Sequence, residues 1–148
     1  MSARFAIAIL AVLLTAAGPA CADLKQVMAE PNLEKRSKLA LENAAAALRH
    51  VREAYLKGEM DEVRARAEEA QESVEVAAKA LKDTGKDPRR SPKWFKRAEM
   101  ETRDLARRIE TVQQEMSYSD RPVLDALHAK TQQVHDELLM GLMEGKRK

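Results

Sequence analysis

The feature that most constrains the fold of this chain is an apolar spacing of alternating three- and four-residue steps. Such steps average about 3.5 residues, the period that keeps one stripe of an α-helix facing a partner helix. Three consecutive stripes are Met60, Val63, Ala67, Ala70, Val74, Ala77 and Leu81; then Phe95, Ala98, Thr102, Leu105, Ile109, Val112 and Met116; then Leu124, Leu127, Thr131, Val134 and Leu138. An earlier segment repeats the spacing with Leu41, Ala44, Leu48, Val51 and Tyr55. The sequence therefore predicts an all-α fold of four long helices.

The first two helices are separated by a glycine. Asn32 is a good N-cap for a first long helix over 33–57, and Gly58 follows its last turn, where a residue with positive φ ends a helix at little cost. Continuing the first stripe beyond Gly58 would place glutamates in the core, which is costly for unpaired charges. A turn is therefore expected at Gly58, with a second long helix over 59–83.

The third long helix is expected over 92–117, after the longest linker, 84–90. Ser91 is expected to cap it, with Pro92 at the first helical position, where the missing N–H costs nothing. This linker and the start of the third helix together form the most polar junction of the chain.

The fourth long helix is expected over 121–144, with Asp120 as its cap. Val123 and Leu127 also keep the phase of the third helix, so that a single kinked helix is an open alternative at this joint.

Similar helix lengths and short connections predict an antiparallel up-down-up-down four-helix bundle. Charged residues make up 34% of the chain and aromatic residues 3%, a balance that favours long helices over sheets. Opposite charges on the second and third helices are expected to face each other across neighbouring seams. These are Glu68, Glu72 and Glu75 on one helix and Arg97, Arg103, Arg107 and Arg108 on the other.

The N-terminal segment 1–22 has the organisation of a signal peptide. Arg4 supplies a positive charge, 5–14 is apolar, and Ala20-Cys21-Ala22 is an A-x-A cleavage site. Cleavage after it would leave one helical-bundle domain, 23–148, in an exported protein that is periplasmic or secreted.

A second processing route uses Cys21, the only cysteine. Cleavage before Cys21 would give a lipidated N-terminus, although Gly18 stands where lipid attachment normally has a large aliphatic residue. With ordinary cleavage the mature chain has no thiol and hence no disulfide.

The sequence contains little that indicates an enzymatic site or a metal site. No phosphate-binding glycine loop, nucleophile elbow or haem-attachment motif occurs. Asp125-x-x-His128 occurs once, and His128 and His135 lie about 10.5 Å apart along a helix, too far to share one metal. Met140 and Met143 form a weak pair for Cu(I) that also reads as an apolar patch. The chain is therefore interpreted as non-enzymatic, with no cofactor and no metal.

The strongest functional signal is a basic segment around the start of the third helix. Its candidate anion-binding residues are Arg89, Arg90, Lys93, Trp94, Lys96 and Arg97. Cations at a helix start are disfavoured by the helix dipole, so helix stability does not explain them. We call the end of the bundle that carries these six residues the basic pole. The antiparallel topology would bring Lys35, Arg36, Lys38, Lys82, Lys146, Arg147 and Lys148 to the same end.

The opposite end is expected to be acidic, through Glu59, Asp61, Glu62, Glu115, Asp120 and Asp125. The alternative interpretation of the basic pole is a solvated loop whose Trp94 and Phe95 only close the bundle.

Residues 86–99 and 120–141 resemble small exported bacterial helical-bundle proteins of unassigned function. That resemblance implies an exported helical bundle and brings no active residues. The layout is also similar to periplasmic stress chaperones of the Spy and CpxP kind, in being exported, all-helical, charged and free of disulfides. Their L-T-x-x-Q motifs do not occur in this sequence.

The functional prediction is a non-enzymatic interaction module of the cell envelope that contacts an anionic partner through the basic pole. The expected partners are an anionic lipid, an acidic cell-wall polymer or an acidic protein. Nucleic acid is not expected in this compartment. The alternative prediction is a periplasmic stress chaperone or a metal-responsive protein.

Overall fold

The computed structural model describes residues 24–144, and all regular structure in that range is helical. The elements are α1 (Leu24–Ala29), α2 (Leu33–Leu56), α3 (Met60–Asp83), α4 (Pro92–Glu115), a 3₁₀-helix (Arg121–Leu124) and α5 (Asp125–Glu144). The predicted all-α fold with four long helices is confirmed. The predicted signal peptide 1–22, with Cys21, and the basic tail 146–148 lie outside the described residues.

The two ends of α2 are each defined by one residue. The Asn32 side-chain oxygen accepts a hydrogen bond from the Lys35 N–H at 2.9 Å and so caps the start of α2. Gly58 has a φ of 74°, in the left-handed region that glycine adopts without a steric penalty. The chain therefore reverses here, and α3 packs back along α2 over the most extensive helix–helix contact of the molecule.

The expected cap at Ser91 is wrong, because its side chain makes no capping hydrogen bond. Pro92 does occupy the start of α4. The turn before it is instead closed by Asp87, whose carboxylate accepts from the Arg89 N–H at 2.8 Å and whose carbonyl accepts from the Ser91 N–H at 2.9 Å. Asp87 thus takes over the stabilising role that Ser91 was expected to have.

The expected cap at Asp120 is also wrong. Its carboxylate accepts hydrogen bonds from the Tyr55 hydroxyl at 3.0 Å and the Ser117 hydroxyl at 2.7 Å. The chain turns over 116–120, and α4 and α5 pack against each other as two separate helices. The alternative of one kinked helix is therefore excluded.

The apolar stripes form the core. Every stripe residue is buried, except Tyr55 and Met60, which are half-buried against the core. Helix α2 has a second buried row that the apolar stripe does not predict. It consists of Ser37, Ala40, Asn43, Ala47 and Ala54. Small side chains in this row and on α3 allow the two helix backbones to approach closely, which explains their extensive contact.

The two hairpins, α2–α3 and α4–α5, pack side by side. Helix α2 lies beside α4, and α3 lies beside α5, whereas α3 and α4 touch only slightly. Ion pairs fix the direction of the first contact, since Arg97 approaches Glu42 at one end and Arg52 pairs with Glu115 at the other. Helices α2 and α4 therefore run parallel, and α3 and α4 occupy opposite corners.

The predicted charge pairing between the second and third long helices is wrong for this reason. Arg103 pairs with Glu99 on its own helix, and Glu75 of α3 pairs with Lys130 of α5. Apolar periodicity defines which face of a helix is buried, but it does not define which helices become neighbours.

The linker 84–91 connects opposite corners, so it must cross the end of the bundle. This places the linker over the core rather than along one edge. Across residues 24–144, no helix combines the length and apolar character needed to cross a bilayer.

Candidate functional site

The linker is fixed to the helices on both sides of the bundle end. Lys86 pairs with Glu34 in the first turn of α2. On the other side, the linker packs on α5 at Gly141, where an added Cβ would lie 3.3 Å from the Pro88 Cγ. The absence of a side chain at Gly141 therefore allows the linker to lie directly on α5.

Four cations of the basic pole project from this supported linker and the first turns of α4. Arg89, Arg90, Lys93 and Lys96 are all exposed. None of them has an ion-pair partner among residues 24–144. The first turn of α4 contains no acidic residue, and the carboxylate of Asp87 is engaged by the backbone of the linker. These charges are therefore available to a ligand.

Arg97 differs from the other candidate residues. Its guanidinium donates to Glu101 at 2.8 Å and lies 3.8 Å from Glu42. The structure thus places Arg97 in a pair that ties α4 to α2, where its charge is largely balanced. The cluster of unpaired cations consists of the other four.

Trp94 is half-buried between two open grooves at the basic pole. One groove, of about 410 Å³, is also lined by Glu34 and Lys86, and the other, of about 440 Å³, extends along α4 to Met100. The Lys93 ammonium lies 5.4 Å from the centroid of the Trp94 ring, within the range of a cation–π contact. The ring therefore presents an apolar surface directly beside a cation.

Exposed apolar side chains at the end of α5 form a feature that the sequence indicates either as a weak copper pair or as an apolar patch, and not as part of the basic pole. Leu139, Met140 and Met143 are 40%, 47% and 70% exposed. They lie in the last two turns of α5, at the same end of the bundle as the linker, and project from a different face of the helix than Gly141. The signal available in the sequence was a run of large apolar residues off the phase of the buried stripe.

An apolar cleft of about 770 Å³ opens beneath the linker. Its floor is formed by Leu81, Phe95 and Leu138, from α3, α4 and α5. Lys82 stands at its rim and is exposed. The volume lies in the range of small-molecule sites.

The acidic end of the bundle is more balanced than the basic pole. Glu115 pairs with Arg52, Asp61 with Arg64, and Glu62 with Arg66. The surface is therefore asymmetric, because three carboxylates at the acidic end are paired with arginines, whereas Arg89, Arg90, Lys93 and Lys96 have no ion-pair partner among residues 24–144.

No arrangement for metal binding was found among the described residues, where no three or more His, Cys, Asp or Glu side chains come together. The histidines instead pair with single glutamates: His128 with Glu110 at 3.1 Å and His135 with Glu99 at 3.6 Å, both joining α5 to α4. These contacts serve the packing of the second hairpin.

Comparisons with protein families, curated proteins and solved structures found no match to this chain.

Proposed function

We propose that this protein is an exported, non-enzymatic interaction module of the cell envelope that contacts an anionic partner through its basic pole. The proposed scaffold is an up-down-up-down bundle in which each helix is antiparallel to the next one along the chain. Removal of the N-terminal signal peptide would release it. The observation that carries the proposal is the cluster of unpaired cations formed by Arg89 and Arg90 on the linker that crosses the bundle end and by Lys93 and Lys96 in the first turns of α4.

The contrast with other arginines of the molecule supports this proposal. A hydrogen bond from the guanidinium to the Glu115 carboxylate raises the pKa of Arg52, and hydrogen bonds to Glu69 and Glu62 raise the pKa of Arg66. Those guanidinium groups already have partners within the fold. Arg89, Arg90, Lys93 and Lys96 have no ion-pair partner among residues 24–144. The helix dipole at the start of α4 also disfavours the positive charges of Lys93 and Lys96.

Clustered cations on one surface attract anions over distances of about a Debye length, roughly 8 Å at physiological ionic strength. The proposed partners are anionic lipid, acidic cell-wall polymer or acidic protein. They share closely spaced negative charge, which is the chemistry that the cluster recognises.

A pair of charge-reversal variants tests the proposal with heparin as a defined polyanion. In the first variant Arg89, Arg90 and Lys93 become glutamate; in the control, the exposed residues Arg49, Arg107 and Arg108 do. Both changes alter the net charge equally. We expect the first variant to lose binding in isothermal titration calorimetry and the control to retain most of it.

The melting temperature of the first variant should stay unchanged or rise slightly, because the helix dipole stabilises an acidic residue at the start of α4. Equal loss of heparin binding in both variants would mean that net charge, and not the basic pole, attracts the anion. Unfolding of the first variant would make the cations part of the scaffold. Either result would refute the proposal.

The second candidate function is a periplasmic stress chaperone, favoured by the apolar cleft beneath the linker and by the exposed methionines at the end of α5. A chaperone would suppress aggregation of an unfolded reporter protein at both low and high salt, since apolar contacts do not weaken with ionic strength. A metal-responsive role has no supporting site in the part of the chain described here.

A further inference from the structure

We infer that the anionic partner of the basic pole is the surface of a phospholipid bilayer. This inference rests on the proposed function and adds an apolar component to it. It starts from Leu139, Met140 and Met143, which are exposed apolar side chains at the same end of the bundle as the unpaired cations.

The exposed apolar side chains are concentrated at this end of the molecule. Those described are Met28, Leu56, Met100, Tyr118, Leu139, Met140 and Met143. Three of them fall in the last two turns of α5. Leu56 and Tyr118 belong to the opposite end of the bundle.

The packing of α5 on α4 brings the apolar and basic residues to one end of the bundle. His135 lies against Glu99, so that the last two turns of α5 run beside the first turns of α4, which carry Lys93 and Lys96. Trp94 adds an aromatic ring next to Lys93, a combination suited to the boundary between headgroups and acyl chains.

A bilayer surface matches both components at once. Phosphate groups neutralise the cations, while the outer acyl region receives methionine and leucine side chains. A polysaccharide or polyphosphate would satisfy only the cations and leave the apolar groups in water. An acidic protein would need a complementary apolar patch of its own.

The test compares vesicles of phosphatidylglycerol, vesicles of phosphatidylcholine, and heparin, using the processed protein purified from cells that export it. The apolar variant is Met140→Ser with Met143→Ser. Its control is Leu56→Ser with Tyr118→Ser, two residues that are 71% and 86% exposed at the opposite end. Co-sedimentation measures the vesicle partition coefficient and calorimetry measures heparin affinity.

We expect the parent protein to bind phosphatidylglycerol vesicles and not phosphatidylcholine vesicles. The apolar variant should lose about tenfold in partition to phosphatidylglycerol while keeping heparin affinity within about twofold, because only the bilayer provides an apolar phase. The control variant should behave like the parent in both assays, and all variants should melt at similar temperatures.

Several outcomes would overturn the bilayer inference and leave the proposed function standing. They are heparin binding without vesicle binding by the parent, unchanged vesicle partition in the apolar variant, or an equal loss in the control. Failure of the proposed function is distinguished by the charge variant: if reversing Arg89, Arg90 and Lys93 leaves heparin binding intact, the basic pole itself is not a binding surface.

Discussion

At the scale of single residues, a polar contact lies in the middle of an otherwise apolar interface. The fully buried Asn43 side-chain amide donates to the Ser73 hydroxyl at 2.8 Å, and that hydroxyl donates to the Glu69 carbonyl at 2.8 Å. Alanine rows on α2 and α3 would fit in more than one register. A shift of α3 along α2 by one turn would leave the Asn43 amide unpaired in the core. This contact therefore favours a single register of the two helices.

Leu105 and Lys79 test the assignment of buried and exposed faces. Leu105 is buried in the core, whereas Lys79 is exposed and pairs only with Asp83 one turn away. Leu105→Ala should lower the free energy of unfolding by about 2–5 kcal/mol, as expected for removal of a buried leucine side chain. Lys79→Ala should cost at most about 1 kcal/mol.

Chemical denaturation followed by far-UV circular dichroism measures both changes. Equal costs for the two variants would mean that the stripe on α4 had been assigned to the wrong face.

At the scale of helices, the Tyr55 hydroxyl joins the end of α2 to the turn between α4 and α5. It accepts a hydrogen bond from the Ser117 N–H at 2.9 Å and donates to the Asp120 carboxylate at 3.0 Å. This contact connects the two hairpins at the end opposite to the basic pole. The Asp120 carboxylate therefore binds the Tyr55 hydroxyl instead of capping a helix, which is the role that the sequence predicts for it.

Tyr55→Phe removes the hydroxyl and keeps the ring. We expect a loss of about 1–3 kcal/mol in unfolding free energy, because Asp120 and the Ser117 N–H lose a partner in a partly buried site. Hydrogen exchange should accelerate selectively over 116–120. Unchanged exchange there, or uniform acceleration throughout the bundle, would show that the hydroxyl does not hold this turn.

Local sequence signals predicted helix positions well and helix neighbours poorly. Asn32 and Gly58 act through their own backbone neighbourhood, so that their roles could be read directly from the sequence. The roles of Asp87 and Asp120 depend on groups brought close by the linker and by Tyr55. Such contacts follow from tertiary packing, which apolar spacing does not encode.

The candidate site shows the same division. The density of basic residues along the chain indicates the site, and in the structure Arg89 and Arg90 on the linker and Lys93 and Lys96 in the first turns of α4 are all exposed. Arg97 was grouped with them because it is adjacent in sequence, but its pairing with Glu101 depends on helical geometry. The exposure of Leu139 depends on which face of α5 packs against the other helices, and the sequence does not give that directly.

At the scale of the whole molecule, the proposed export has a direct chemical test. The protein recovered from outside the cytoplasm should begin at Asp23, since cleavage is predicted after Ala22. N-terminal sequencing and intact-mass measurement would show this. A lipid-modified Cys21 would contradict the predicted cleavage and would attach the chain to a membrane by its N-terminus, and retention of 1–22 would contradict export itself.

The charge asymmetry of the whole molecule also predicts a strong salt dependence. Four cations of the basic pole have no ion-pair partner among residues 24–144, so the basic pole should dominate attraction of a polyanion. Heparin affinity should fall steeply from low to physiological salt, because exposed charges are screened over about 8 Å there. An affinity independent of salt would point to apolar contacts, as in the chaperone alternative.

Trp94 provides the most direct test of the central claim, since it is the only tryptophan in the chain and lies within the basic pole. Heparin titration should change its fluorescence emission saturably, with the same midpoint as calorimetric binding and with reversal by salt. Changing Arg89, Arg90 and Lys93 to glutamate should abolish this response. Calorimetric binding with unchanged Trp94 emission would place the anion elsewhere on the molecule and contradict the account.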